Sequence, residues 1–298
     1  MINKNEGLFK NLSHGFNNHL KRCIMNYKII ADSSANLQDG TFVSVPLKII
    51  TGDQEFVDDA SLDIPQMAAY LSSYKGKTST ACPGVQDYLA AFGNAELVFC
   101  YTITSNLSGS YNAARLAKID YEAQHPGRKV IVVDTLSAGP EIRMQMEQLA
   151  RWLDAGEDPL TLEGKISDYG AHTGLMFSLE SLQNLANNGR VSPLVAKLAG
   201  VLGIRVVGRA SNHGTLEPQD KCPGEKKALS KVFLRMREQG YQGGRVRIDH
   251  CLNEAAAKAL RERILEQYPT AQVTIGQTGG LCTFYAESGG LMIGCEKQ

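Results

Sequence analysis

The chain of 298 residues is long enough to bury a large core and, on length alone, to form two domains. Its 31 Lys and Arg residues balance its 31 Asp and Glu residues, so the bulk charge does not favour binding to nucleic acid or to a membrane surface. No apolar stretch approaches the roughly 20 residues that a membrane-spanning helix needs, and we expect no stable insertion into a membrane.

Seven cysteines are scattered along the chain, and none of them forms a CxxC motif. Their number is odd, and several, such as Cys100 in "VFCYT", stand in apolar, strand-like contexts. Scattered thiols without a framework are typical of a reducing compartment, so we expect a cytoplasmic protein without disulfides. The six histidines are isolated from one another, which disfavours a metal site.

Residues 1–25 lack the continuous apolar core and the small-residue cleavage site of a secretory signal. We expect a disordered extension that ends where a second methionine, Met25, precedes the first strand. The alternative is a short amphipathic helix, because four apolar residues are spaced by four: Leu8, Leu12, Phe16 and Leu20.

Strands and helices alternate in the first domain, which we assign to residues 26–164. The predicted strands are 27–34, two strands within 42–56 around a turn at Gly52 and Asp53, 96–103 and 129–135. The predicted helices are 63–74, with Asp63 as N-cap, 85–92, 109–123 and 141–156, and the segment 78–84 is predicted as a polar loop. Nearly continuous apolar strands in this alternation favour a parallel, Rossmann-like α/β sheet.

Residues 165–298 differ in pattern and are assigned to a second, α+β domain on a mostly antiparallel sheet. A strand and a helix are predicted within 172–192, and a hairpin within 203–221 that turns at Asn212, His213 and Gly214. Further predictions are helices at 226–240 and 254–268, the latter with Asn253 as N-cap, strands at 244–252 and 271–280, and two short strands within 280–297.

Hydroxyl side chains collect at the ends of predicted strands. In "TITSNLSGSY", Thr104 and Ser105 follow a strand and Ser108 precedes a helix, where an N-cap is the alternative role. A second hydroxyl loop, 78–80, also precedes a helix. In open α/β sheets ligands bind at this edge, and helix N-termini with hydroxyls suit a small anion, either phosphate or carboxylate. Neither a P-loop nor a GxGxxG motif after a strand is present, which disfavours a nucleotide site.

From Met25 to its end the chain resembles the DegV family of bacterial fatty-acid-binding proteins. Five segments match in order, and "VPLKI" resembles the second strand of the family: "IIADSSANL" (29–37), "TACPG" (80–84), "TSNLSGSYNAA" (104–114), "VVDT" (132–135) and "NGRVS" (188–192). The third of these five is the most specific. In the first, Ser34 and Asn36 replace the Thr and Asp of the family.

The resemblance implies a two-domain carrier that holds one long-chain fatty acid, such as palmitate, in an apolar tunnel between the domains. It implies that Thr80 and Ser108 hold the carboxylate, with Ser105 as the second choice, and that the protein needs no cofactor. In some members the bound acid is presented to a separate fatty acid kinase. Core residues and tunnel residues look alike in sequence, so each candidate for the lining has an ordinary core role as its alternative: Leu107, Met176, Phe177, Leu179 and Leu182.

Two departures bear on the kinase. Tyr285 stands where the family often has a His, and Pro223 stands where it commonly has an Arg in a basic segment. A phenol can donate a hydrogen bond but does not titrate near neutral pH. Both departures favour a protein that binds lipid but does not present it to a kinase. Arg190 of "NNGRVS" is retained, either as a ligand contact or as a turn residue paired with a carboxylate.

Two other functions fit the same residues. A binder of a phosphate-bearing small molecule would use the same donors. A hydrolase would need a nucleophile and a base, for which Cys82 and His250 are the candidates. Ser108 with His172 or His213 lacks the GxSxG elbow of serine hydrolases. We expect a binding protein and not an enzyme.

Overall fold

The computed structural model describes residues 25–196 and 203–298. The predicted N-terminal extension, apart from Met25, and the alternative helix over Leu8 to Leu20 lie outside these ranges. The described strands are β1 (Tyr27–Asp32), β2 (Val43–Val45), β3 (Lys48–Ile50), β4 (Glu55–Val57), β5 (Ser79–Ala81), β6 (Leu97–Thr102), β7 (Lys129–Asp134), β8 (Thr173–Leu179), β9 (Ile204–Ala210), β10 (Leu216–Pro223), β11 (Arg245–His250), β12 (Gln272–Gln277) and β13 (Leu291–Glu296).

The described α-helices cover the faces of the sheets and connect their strands. They are α1 (Ile64–Ser73), α2 (Val85–Phe92), α3 (Ser110–Gln124), α4 (Pro140–Asp154), α5 (Glu163–Ala171), α6 (Gln183–Asn187), α7 (Pro193–Ala196), α8 (Glu225–Glu238), α9 (Glu254–Gln267) and α10 (Gly280–Ala286). Both predicted N-caps are confirmed: Asp63 accepts a hydrogen bond from the Gln66 amide at 2.9 Å, and Asn253 accepts one from the Ala256 amide at 3.3 Å.

The first sheet is parallel throughout, as predicted, with the strand order β2-β1-β6-β7. Every residue of β6 is buried, which explains its unbroken apolar sequence "LVFCYT". The polar tips that follow β1, β6 and β7 therefore meet at one edge. The Asp32 carboxylate accepts a hydrogen bond from the Ile103 amide at 2.9 Å, and the Asp134 carboxylate accepts one from the Ser105 amide at 3.0 Å.

The second sheet has six strands in the order β10-β9-β8-β13-β11-β12, and only the pair β11 and β12 is parallel. The predicted mostly antiparallel sheet is confirmed, and so is the hairpin of β9 and β10. Gly214 in its turn has a φ of +74°, and a Cβ there would lie 2.1 Å from Oγ1 of Thr104. The hairpin tip thus packs directly on the hydroxyl loop after β6.

A third, small sheet corrects the prediction of a polar loop over 78–84. Residues 79–81 form β5, which pairs antiparallel with β3 and places Thr80 opposite Ile49. β3 also pairs with β4. The sequence "STA" is too short and too polar to show a strand pattern by itself. The free edge of β3 supplies the hydrogen-bond partners that fix it as a strand.

The last segment corrects the prediction of two short strands over 280–297. β13 is a strand, but residues 280–286 form α10. The buried Asp58 carboxylate accepts the Gly280 amide at 2.6 Å and the Leu281 amide at 2.9 Å. These contacts satisfy two free amides at the N-terminus of α10 from a residue more than 200 positions earlier, which a local pattern cannot reveal.

The layers are stacked so that α4 lies between the two large sheets. One face of the parallel sheet packs on α2 and α3, and α8 and α9 cover the outer face of the second sheet. Ile142, Met146 and Leu149 of α4 belong to the core cluster that joins β6 to Leu175 of β8. The predicted boundary between residues 164 and 165 falls within α5.

Candidate functional site

An apolar pocket lies between residues of the two halves of the chain. The empty space in and around it, with the open solvent at its mouth included, is about 880 Å³. Its lining residues are Leu47, Thr80, Cys82, Ile103, Leu107, Ser108, Gly109, Ala138, Leu175, Phe177, Leu179, Leu185, Arg190, Leu216, Leu281, Cys282, Tyr285, Ala286 and Met292. Most of these side chains are hydrocarbon, so the pocket suits an apolar ligand.

Strand β8 supplies one wall through the alternation of its side chains. Leu175, Phe177 and Leu179 point to the pocket, whereas Met176 packs on the opposite face in the core below α8 and α9. Of the five lining candidates from the sequence, Leu107, Phe177 and Leu179 line the pocket. Met176 and Leu182 do not line it, and both are core residues.

Two predicted residues from distant parts of the chain meet at the polar end of the pocket. Oγ1 of Thr80, on β5, lies 2.8 Å from the hydroxyl of Tyr285, on α10. The small sheet and α10 are therefore the elements that create this contact, and neither was predicted from the sequence. One of the two hydroxyls donates to the other in this contact, which leaves one proton for an anion in the pocket.

Arg190 also lines the pocket, next to Tyr285. Its Nε donates to the carbonyl of Leu107 at 3.2 Å, its Nη1 donates to the carbonyl of Asn188, and its Cζ lies 5.8 Å from the centre of the Tyr285 ring. These contacts are with backbone carbonyls and an aromatic ring. They hold a permanent positive charge at the pocket, next to the two hydroxyls.

Ser108 lines the pocket directly before α3. Its Oγ accepts the Ser110 amide at 3.2 Å and lies 3.1 Å from Oγ of Ser110. The capping role is thus met in part, because the Ser108 oxygen satisfies one free amide of the first turn. The Ser108 hydroxyl can donate to a ligand when Ser110 is the donor in the contact between the two side chains.

Ser105 lies outside the pocket. Its side chain is exposed, and its amide donates to the Asp134 carboxylate at the edge of β7. The structure therefore brings together Thr80, Ser108, Arg190 and Tyr285, and leaves Ser105 apart from them.

The Tyr285 phenol is a hydrogen-bond donor at neutral pH. Burial raises its pKa above the ordinary value, against smaller opposite effects of Thr80 and Arg190. Thr80, Ser108, Tyr285 and Arg190 together offer three hydroxyl groups and one cation, an arrangement that fits a carboxylate.

The residues proposed for hydrolysis are not arranged as a catalytic pair at this pocket. Cys82 is exposed at its mouth, but no described residue that lines it is a histidine. Nδ1 of His250 accepts the Asn253 amide at 3.3 Å, and His172 bonds to the Asp168 carbonyl. In the described ranges, no group of three or more His, Cys, Asp or Glu residues is placed to hold a metal ion. None of the helices there combines the length and apolarity needed to cross a membrane.

Comparison with known proteins places the chain among relatives of similar length. A DegV protein of Streptococcus pneumoniae is 44% identical over 279 residues, which is 91% of this chain and 99% of the relative. A DegV protein of Eubacterium eligens, solved with heptadecanoic acid, is 44% identical with a TM-score of 0.89, and the match covers 91% of this chain and 100% of that one.

A third similar protein is the Fatty Acid Kinase (Fak) B3 protein of Streptococcus pneumoniae, solved with linoleic acid. It is 43% identical with a TM-score of 0.90, and the match covers 92% of this chain and 100% of that one. The family described as uncharacterised proteins of the DegV family matches residues 26–297. With nearly the whole chain matched, the protein described here belongs to the DegV family.

Proposed function

We propose that this protein is a carrier that binds one long-chain fatty acid, such as palmitate, with the acyl chain in the apolar pocket. The observation that carries the proposal is the joining of a hydrocarbon-lined pocket to a polar end made of Thr80, Ser108, Tyr285 and Arg190. The two similar proteins solved with heptadecanoic and linoleic acid support it.

The energetics favour a fatty acid over a small phosphate compound. Burial of each methylene contributes about 0.8 kcal/mol, so a long acyl chain gains on the order of 10 kcal/mol before the costs of association. A small phosphate compound would occupy only the polar end. The apolar side chains of Leu175, Phe177 and Leu281 would then bury no surface against the ligand.

We further propose that the carrier acts in the cytoplasm without a cofactor and without catalysis of its own. The six cysteines in the described ranges are free thiols, and five of them are buried. This supports a reducing compartment. Cys82 has a place at the pocket mouth but no base beside it.

Native mass spectrometry of the purified protein tests the binding proposal. We expect a mass increase that corresponds to one fatty acid per chain, and release of that acid under denaturing conditions. Fatty-acid-free protein should regain the mass increase after incubation with palmitate. A released phosphate compound, or failure to take up palmitate, would contradict the carrier function and favour the anion-binding alternative.

A kinase is the proposed partner of the loaded carrier. Of the lining residues, Cys82 and Gly109, which stand close to Thr80 and Ser108 in the sequence, are exposed, whereas Leu175, Phe177 and Leu281 are buried. A second protein can therefore approach the carboxylate and not the methyl end. The similarity to a protein named for fatty acid kinase supports this partner.

The kinase proposal predicts formation of an acyl phosphate. The carboxylate oxygen would form a bond to the γ-phosphorus of ATP, while the bond from that phosphorus to ADP breaks. With palmitate-loaded protein, ATP and a bacterial fatty acid kinase, we expect hydroxylamine to trap the product as a hydroxamate. A kinase that yields hydroxamate with its own carrier and none with this one would contradict the proposed partnership.

A further inference from the structure

A second cavity adjoins the apolar pocket on the side of β7, the edge strand of the parallel sheet. The empty space in and around it, with open solvent included, is about 1420 Å³. Leu175 is the one described residue that lines both cavities, and only 1% of it is exposed. This buried residue therefore stands at the boundary between the two cavities.

The second cavity differs from the apolar pocket in its chemistry. Its lining residues include Glu141, Gln145 and Lys297. The Glu141 carboxylate accepts the hydroxyl of Thr173 at 2.8 Å, and Nε2 of Gln145 donates to Oγ1 of Thr173 at 3.2 Å. A hydrocarbon chain among such groups would displace water from polar atoms without replacing the hydrogen bonds, so this cavity does not suit an acyl chain.

Strand β8 shows where Leu175 lies along the apolar pocket. Leu175, Phe177 and Leu179 face the pocket in a row at every second residue, so the row extends over about 13 Å. Thr173 precedes this row by two residues and shares its face of the strand. Leu175 is therefore the side chain of the row that lies next to the polar contact between Thr173 and Glu141.

The opposite end of the row lies near Arg190, one of the residues that fit a carboxylate. The Arg190 amide donates to the carbonyl of Leu185 at 2.8 Å, and Leu185 packs with Leu179 in one core cluster. Leu175 belongs to a different core cluster, together with Ile103. A fatty acid whose carboxylate binds beside Arg190 can thus place its chain along β8, from Leu179 toward Leu175.

We propose that Leu175 is a specificity-determining residue that ends the apolar pocket at the methyl end of the bound acid and so limits the length of the acyl chain. The inference rests on the proposed function. While the chain is shorter than the pocket, each added methylene raises the affinity about fourfold. A chain that reaches Leu175 loses this gain, because a further methylene has to displace a packed side chain or enter the polar cavity.

The experiment is a competition among saturated fatty acids, read by native mass spectrometry. Fatty-acid-free protein is incubated with an equimolar mixture of myristate, palmitate, stearate, arachidate and behenate, and the mass of each complex identifies the bound acid. For wild-type protein we expect the occupancy to rise along this series to one preferred acid and to fall for the longer acids. The solubility of each acid is common to all variants, so it cancels when variants are compared.

Truncation of Leu175 is expected to shift the preference to longer acids. Leu175→Ala removes about three carbon atoms from the end of the pocket, and the end of a longer chain can fill that space. We expect the preferred acid to become about two carbons longer. The occupancy ratio of that acid to the acid preferred by wild-type protein should rise by at least about tenfold. Leu175→Val removes about one carbon atom and should raise the same ratio about threefold.

Two other residues of β8 are the controls. Met176→Ala truncates a fully buried side chain on the opposite face of the strand, so it reports the effect of lost core packing alone. It should leave the occupancy ratio within about twofold of the wild-type value. Leu179→Ala changes the lining away from the methyl end, and it should lower the affinity for all the acids by similar factors without a change in the preferred length.

The outcomes separate this proposal from the carrier function. A Leu175→Ala variant that binds palmitate and keeps the wild-type order of preference would overturn the role of Leu175 alone. The same conclusion would follow from wild-type protein whose occupancy rises through behenate without a maximum. Wild-type protein that binds none of the acids would overturn both proposals. Where Leu175→Ala does not fold, Leu175→Val decides, and an unchanged ratio in that variant would overturn the role of Leu175.

Discussion

Replacement of Thr80 by Val together with Ser108 by Ala is expected to weaken fatty acid binding by at least about 100-fold. A hydrogen bond to a charged group contributes about 1.5–3 kcal/mol, and 1.4 kcal/mol corresponds to a factor of ten in affinity. The variant removes two such donors and leaves the carboxylate in the pocket with Tyr285 and Arg190. Titration with palmitate, followed by native mass spectrometry, measures the loss of affinity.

The controls for this variant are two hydroxyl residues that stand close to Thr80 and Ser108 in the sequence but do not line the pocket. Ser79→Ala changes the exposed neighbour of Thr80 on β5, and Ser105→Ala changes the exposed residue of the "TSNLS" loop. Both should bind palmitate within about twofold of the wild-type protein. Unchanged palmitate affinity in the double variant, or an equally large loss of affinity in Ser105→Ala, would show that other residues hold the carboxylate.

Replacement of Asp58 by Ala is expected to lower the free energy of unfolding by about 2–4 kcal/mol. It leaves the buried amides of Gly280 and Leu281 without an acceptor, at a cost of about 1–3 kcal/mol each. Loss of a buried charge offsets part of that cost, since burial raises the pKa of Asp58. The total is a large share of the roughly 5–15 kcal/mol by which domains are stable.

The same variant is expected to bind fatty acid more weakly, because α10 carries Leu281 and Tyr285 into the pocket. Urea denaturation measures the stability. The control is Asp59→Ala, which removes the neighbouring carboxylate, whose hydrogen bonds with Ser61 are solvent-exposed. It should change stability by less than about 1 kcal/mol. Equal effects of the two variants would show that Asp58 does not hold α10.

The elements with a strong local pattern were predictable. Strand β6 is buried over its full length, and the amphipathic helix α9 begins directly after Asn253, whose side chain caps it. Such segments carry their structure in short-range periodicity and capping residues. The carboxyl edge of the parallel sheet was predictable for the same reason, since the polar tips directly follow the strands.

Two elements at the site were not predictable from local pattern. The strand β5 exists because its residues pair with β3, and the helix α10 because Asp58 accepts its first amides. In both cases the partner lies far away in sequence, and tertiary contacts override local preference. The prediction of a loop and of a strand failed at these positions.

By itself, the sequence of this protein determined most of the strands and helices, though not β5 and α10, the types of the two large sheets and the hydroxyl residues available for a site. Periodicity, capping and the resemblance of short motifs to one family all act over short distances along the chain. Only the tertiary structure decided that Thr80 meets Tyr285 and that Ser105 stays outside the pocket. The contact between Thr80 and Tyr285 depends on β5 and α10, which are fixed by β3 and by Asp58 rather than by any local pattern in the sequence.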